Sequence, residues 1–271
     1  MRSRSELSSI ADLAANARVV VALGRRSILQ TARRPQLAAP LLVFPTLLLA
    51  IQTGGAGGAV DLPGFPEVES FLAFMLAGAM VQSVLLAGNS GAIALAIDIE
   101  MGFTDRLFAA PISRFGVVLG RLSGTAVLGA FAAVWFLAIG FLFGVTIQEG
   151  IAGAVWIVLL VAASALAFGG IAASIALYSG KASVVQGLFP LLFVVLFLST
   201  AFFPANLMLE PAGTVAEYNP LSFIVEGIRE PIIGEFELGD QLKAVAAVIG
   251  IGALGLALSA WSMRARTRRG S

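Results

Sequence analysis

The chain has 271 residues, 58% hydrophobic and 12% charged, with a mean hydropathy of +0.94 and a formal net charge of +1. That balance excludes an ordinary soluble domain and implies an integral membrane protein with no nucleic-acid surface. The absence of Cys and His excludes disulfides, thiolate or imidazole metal ligands and an imidazole general base.

The first 36 residues form a segment of their own. Leu13, Ala17, Val20, Val21, Gly24 and Ile28 fall at helical spacing, and Arg18, Arg25, Arg26, Arg33 and Arg34 flank them. This pattern predicts an amphipathic helix lying along a membrane surface with its arginines near anionic headgroups; a plain basic anchor fits the same residues. The first long apolar segment begins only near Leu37, too late for a secretory signal peptide, so the N-terminus is expected to be retained.

Six apolar segments follow, each near the roughly 20 residues that a spanning helix needs. They run from about Leu37 to Thr53, Phe71 to Ile97, Val117 to Val145, Ile151 to Leu177, Val184 to Phe203 and Leu242 to Met263. The first carries Pro40 and Pro45 shortly after Pro35, which predicts a bent, irregular span. In the third, Gly140 and Gly144 make one GxxxG pair of the kind that lets helices approach closely. The predicted fold is therefore an all-α membrane protein of six transmembrane helices, residues 37–263, with a basic tail over 264–271.

Charge sorting orients the bundle. Of the 17 basic residues, all but Arg229 and Lys243 lie before the first span, around the second connection (Arg106, Arg114 and Arg121), in the fourth connection or after the last span. The other face carries most of the 16 acids, among them Glu67, Glu69, Glu149, Glu217 and Glu237. The positive-inside rule then places both termini in the cytoplasm of a multi-pass plasma-membrane protein.

Two connections are too apolar to be tethers. IDIEMGFTDRLFAAPISR, Ile97 to Arg114, sets Met101, Leu107 and Phe108 among Asp98, Glu100, Asp105 and Arg106, and Pro111 closes it. Such a segment suits a partner's groove as well as it suits a solvated helix end. The second, Phe202 to Asp240, contains Leu221, Phe223, Ile224, Val225 and Ile228, which bury one side of a short helix. Asn219 and Pro220 supply its start and Pro231 a stop, while Glu226 and Arg229, three apart, are placed to pair. That helix is expected to dip into the outer leaflet or cap the bundle.

The order of these two motifs carries a family resemblance. Glu100, Gly102, Arg106, Leu107, Pro111, Ser113 and Arg114, followed by Asn219, Pro220, Leu221, Val225, Glu226 and Arg229, resemble the membrane subunit of type-2 ABC exporters, in the drug-resistance and polysaccharide-export permease group. The resemblance covers nearly the whole chain. It implies a coupling helix over about 98–114 seated in a cytoplasmic ATPase, with Asp98, Glu100, Gly102, Asp105, Arg106, Leu107 and Phe108 as coupling residues and Glu100 and Arg106 as the leading contacts. It also implies a re-entrant external hairpin over about 204–235, with Asn219, Pro220, Leu221, Glu226 and Arg229 shaping an outer gate. Phe103 and Phe108 depart from the Thr and Leu usual in that pattern, and both keep apolar bulk.

A motor is missing from the chain. The nearest approach to a phosphate loop, Gly180-Lys181, has Ile175 where the upstream Gly belongs and Ala182 where a hydroxyl belongs. By the resemblance, the chain binds no cofactor, ATP and magnesium belong to a partner ATPase, and two copies of the permease, or one copy and a related permease, work with two ATPase chains. An ion-coupled transporter or channel is the alternative, but apart from Arg121 and Lys243 near span ends the spans hold no Asp, Glu, Lys, Arg or His to carry or sense charge. Gln82, Asn89, Ser90, Ser164 and Gln186 are polar residues within them, fit either for interhelical hydrogen bonds or for contact with a substrate. With Phe193 and Phe197 on the fifth span, Gln82, Asn89 and Gln186 form a candidate path for a drug, a lipid or a lipid-linked glycan; the phenylalanines fit packing against lipid equally well.

Overall fold

The computed structural model describes residues 25, 29, 35–102, 114–234 and 236–269. The predicted N-terminal amphipathic segment falls almost wholly outside those residues, as do Asp105, Arg106, Leu107 and Phe108 of the predicted coupling segment. Among the described residues the fold is all helical, with no strand.

In chain order the helices are α1 (Pro35–Ala56), α2 (Phe71–Glu100), α3 (Arg114–Leu142), α4 (Gly150–Ser179), α5 (Ala182–Gln186), α6 (Phe189–Phe197), α7 (Ala212–Tyr218), α8 (Pro220–Ile233) and α9 (Leu238–Arg269). Among the described residues five stretches are long and apolar enough to cross a membrane: Ala39–Asp61, Phe71–Glu100, Leu122–Leu142, Gly150–Ser179 and Leu238–Arg264. The expected fifth span differs. Its apolar run is split into α5 and α6, with Gly187 and Leu188 between them and Pro190 in the first turn of α6. Glycine weakens a helix interior and proline removes a backbone donor, so a run that reads as one span by hydropathy folds as two short helices.

α2 is the axis of the bundle. In its most apolar window 94% of the residues are buried inside the protein, against 17% for the first span. A helix that is apolar all round belongs at a centre rather than on a surface. α1, α3, α4, α5 and α8 all pack on α2, and α9 packs on α4 and α8. Small residues permit the closest approaches. The adjacent Gly169 and Gly170 of α4 serve two neighbours: a Cβ on Gly88 of α2 would lie 2.8 Å from the Gly169 nitrogen, and one on Gly255 of α9 would lie 2.8 Å from the Gly170 carbonyl carbon. Without a hydrophobic drive between helices in lipid, such contact is a main source of cohesion.

Three local expectations are corrected. α1 continues through Pro40 and Pro45 as a single helix. Gly140 and Gly144 are not a helix-packing pair, since α3 ends at Leu142 and Gly144 sits in the following turn at φ +85° with nothing near its Cβ position. Only Gly140 makes a close approach, against the Leu76 side chain. Finally, Pro231 does not stop α8. The helix runs on to Ile233 and ends at Gly234, whose φ of +87° provides the left-handed residue that closes many helices.

Candidate functional site

The described residues of the predicted coupling and gate sets lie near the two ends of α2, about 45 Å apart along a 30-residue helix at 1.5 Å per residue.

At the Phe71 end, Asn219 opens α8 as expected, its Oδ1 accepting from the Leu221 N–H at 3.0 Å. The same side chain also does something the sequence does not disclose. Its Nδ2 donates to the Val195 carbonyl at 2.9 Å and to the Leu198 carbonyl at 2.6 Å, taking up acceptors that the end of α6 leaves open. Pro220 and Leu221 follow at the first turn, with Leu221 fully buried.

Arg229 is the hub of this end. Only 2% exposed, it pairs with Glu226 as expected, Nη1 to Oε1 at 2.6 Å. It also donates from Nε to the Phe74 carbonyl at 3.2 Å and from Nη2 to the Thr200 carbonyl at 2.8 Å, and its guanidinium lies 3.7 Å from the centre of the Phe74 ring. Thr200 closes the network, its hydroxyl donating to Glu226 Oε1 and its backbone N–H to Ser222 Oγ. The planar five-donor fork of arginine suits a buried site with several acceptors, where an ammonium would leave some unmet. One side chain thus ties α8, α2 and the irregular chain after α6.

A second link escaped the sequence reading. Glu230 Oε2 accepts from Gln241 Nε2 at 2.7 Å and from the Glu237 N–H at 3.3 Å, and Gln241 Oε1 accepts from Trp156 Nε1 at 2.6 Å. This chain joins α8 to α9 and α4. The only hints were a tryptophan in the apolar helix α4 and a glutamine beside Asp240 at the start of α9. Burial pushes the Glu230 carboxyl from 4.5 up to about 7, against the lowering effect of its hydrogen bonds. α8 is not a candidate span, so this shift belongs to a group outside the membrane-crossing helices.

The sign of the pH dependence follows. Between about pH 4.5 and 7 the folded chain holds a proton on Glu230 that the unfolded chain has released, so stability falls as pH rises across that window. Glu230→Gln is expected to flatten this fall, read as the thermal midpoint in detergent at pH 5 and pH 8. An equal fall in both proteins would remove Glu230 as its source.

At the Glu100 end, Asp98 and Glu100 close the last turn of α2, and Gly102 follows at φ +70°. Glu100 Oε1 accepts from the Ala182 N–H at 2.9 Å, at the start of α5. Met101 is 68% exposed.

The candidate path residues do not come together in one cavity of the single chain. Gln82 and Asn89 are buried in α2, and Gln82 Nε2 and Asn89 Oδ1 have no protein hydrogen-bond partner. Gln186 is exposed, and Phe193 packs against Phe44, Phe189 and Phe197 in an aromatic row, with Phe197 55% exposed. A groove of about 530 Å³ lies elsewhere, between α1 and α3, lined by Thr46, Ala50, Thr53, Trp135 and Phe143 among others.

Comparison with known proteins bears on this geometry. Residues 18–233 match the family model described as ABC-2 type transporter. Over 215 residues the chain is 24% identical to the daunorubicin resistance ABC transporter permease protein DrrB1 of Streptomyces coeruleorubidus, an alignment covering 78% of this chain and 75% of that protein.

Proposed function

Because this chain belongs to the ABC-2 type transporter family, we propose that it is the membrane permease subunit of an exporter, driven by a separate cytoplasmic ABC ATPase. The observation that carries the reading is the family match across residues 18–233 in a chain whose sequence holds no phosphate loop. Permeases of this family are transport components that work with an ABC ATPase.

On this reading the chain crosses the membrane six times. The fifth passage is the broken pair α5–α6, the α7–α8 hairpin re-enters the outer leaflet, and both termini lie in the cytoplasm. The charge asymmetry of the loops supports that orientation. The stretch 98–114 receives the ATPase, with Asp98, Glu100, Gly102, Asp105, Arg106, Leu107 and Phe108 as its coupling residues. Asn219, Pro220, Leu221, Glu226 and Arg229 shape the outer gate, a reading supported by the burial of Asn219, Leu221 and Arg229 and by their bonds to α2 and the end of α6.

The assembly is two permeases with two ATPase chains, ATP and magnesium residing in the latter. A second permease copy completes the path, and the outward faces of Gln186 and Phe197 are positioned to meet it. Gln82 and Asn89, buried in α2 with one polar atom each unpartnered, are polar groups available to the path when the helices shift. The cargo is an amphipathic or hydrophobic molecule: a drug, a lipid or a lipid-linked glycan. The similar Streptomyces protein is named for daunorubicin resistance, which favours a drug among these.

Purification of the tagged chain from native membranes in mild detergent tests the reading. A phosphate-loop ATPase is expected to co-elute in near-equal amount. Recovery of the chain alone, from cells in which it is active, overturns the proposal.

A further inference from the structure

The broken fifth passage is held at both ends by single side chains. At its start, the Glu100 carboxylate accepts the Ala182 N–H at 2.9 Å. Val185, fully buried, packs in one apolar cluster with Ala92, Leu95, Ala96 and Ile99 of α2. At its far end, the Asn219 amide holds the carbonyls of Val195 and Leu198. Between these clasps lies the Gly187-Leu188 interruption, a turn in which the Gly187 N–H still donates to the Ser183 carbonyl at 3.0 Å and the Leu188 N–H to the Val185 carbonyl at 3.2 Å. The α5–α6 pair is therefore gripped at its two ends and joined by a bonded turn, so that displacement of one end is carried to the other.

Glu100 stands at the last turn of α2, two residues before the left-handed Gly102 through which the chain leaves for the stretch 103–113. Glu100 therefore lies on the α2 side of that stretch, whose other end joins α3 at Arg114. A carboxylate accepting a backbone N–H makes a charge-assisted bond, stronger than its neutral counterpart, and its grip does not depend on the identity of the side chain at position 182. Three- and four-residue steps from Glu100 back along α2 meet Ala96, Ala92, Asn89, Leu85, Gln82 and Gly78. The Gly78 end of that stripe faces the backbone of Ala201, just beyond α6, so one face of α2 lies along the whole interrupted passage.

We infer that Glu100 is a positioning residue, which clasps α5 and passes displacement of the 98–114 stretch to the α5–α6 pair and through Asn219 to the α7–α8 hairpin. This deepens the permease reading and rests on it. It assigns Glu100 to a bond within the chain, leaving contact with the ATPase to other residues of the stretch.

Three variants separate the possibilities in cells expressing the full complex, with efflux of a hydrophobic fluorescent dye per ATP hydrolysed as the readout. Glu100→Ala removes the acceptor. Ala182→Pro removes the donor alone, since Lys181 is already extended and position 182 opens the helix, where proline is best tolerated. Glu100→Gln keeps an acceptor oxygen without the charge. The first two are expected to lower coupled export about five-fold, in line with a weak allosteric coupling, and their effects should not add, because each breaks the same bond. Glu100→Gln restores most of the loss, and the ATPase is recovered in unchanged ratio throughout.

Normal export by Ala182→Pro, a Glu100→Gln variant as impaired as Glu100→Ala, or loss of the ATPase from Glu100→Ala would each overturn the assignment. Should Ala182→Pro fail to fold, a chain carrying Glu100→Cys and Ala182→Cys, otherwise free of cysteine, can be bridged by a short bifunctional thiol reagent. The unbridged double variant is expected to export as poorly as Glu100→Ala and bridging to restore most of the loss; full export before bridging, or no recovery after it, contradicts the clasp. If the unmodified chain recruits no ATPase, the permease reading itself fails, and that control is read before any variant.

Discussion

Arg229→Ala is expected to destabilise the chain by about 3–5 kcal/mol, the usual cost of removing one partner from a buried ion pair. The value should fall toward the lower end, because the Glu226 side chain keeps 36% exposure and can be rehydrated, whereas the Phe74 and Thr200 carbonyls lose a donor in a dry site. The thermal midpoint in detergent measures the loss. Arg229→Lys should recover only part of it, since an ammonium cannot reach three separate acceptors in one plane while stacking on Phe74. A midpoint unchanged by Arg229→Ala would mean that α8 is not held to α2 by this residue.

The second large effect is expected at Gly78. A Cβ there would lie 2.3 Å from the Ala201 carbonyl oxygen, a backbone atom. That backbone has little freedom, because its neighbour Thr200 is bound through its N–H to Ser222 and through its carbonyl to Arg229. Gly78→Ala therefore forces α2 away from the end of the fifth passage, at a cost of about 1–3 kcal/mol for an overpacked site. Gly54→Ala is the control. Nothing lies within 4 Å of its Cβ position and it sits in α1, so the change should be neutral or slightly stabilising. Equal midpoints for the two variants would contradict the close approach of α2 and Ala201.

Local chemistry was the part legible in the sequence. Asn219 before Pro220 marked a helix start, and the Glu226–Arg229 spacing marked a pair, because each depends on neighbours a turn away. The apolar lengths of four spans were read to within a few residues for the same reason. What hydropathy cannot show is which apolar helix is central. α2 and α1 read alike as sequences, yet only α2 is buried on all sides, a property of the neighbours it acquires.

Long-range partners were equally hidden. The Phe74 carbonyl that Arg229 binds is 155 positions away, and Ala182 is 82 from Glu100. Backbone groups carry no signature of the side chain that will find them. The interruption of the fifth passage did leave a trace in Gly187 and Pro190, but an apolar run around them outweighed it. Pro231 misled in the opposite direction. Its carbonyl accepts the Glu149 N–H and its ring packs near Gly153, so tertiary contacts carry α8 past a residue that ends an isolated helix.

The central claim is that this chain moves its cargo only when a separate ATPase drives it. Proteoliposomes containing the chain with its co-purified ATPase, and others containing the chain alone, should be loaded with a hydrophobic fluorescent dye and compared with and without ATP. Dye movement that requires both the ATPase and hydrolysable ATP is the predicted result. Movement by the chain alone, driven by an imposed ion gradient, would contradict the account.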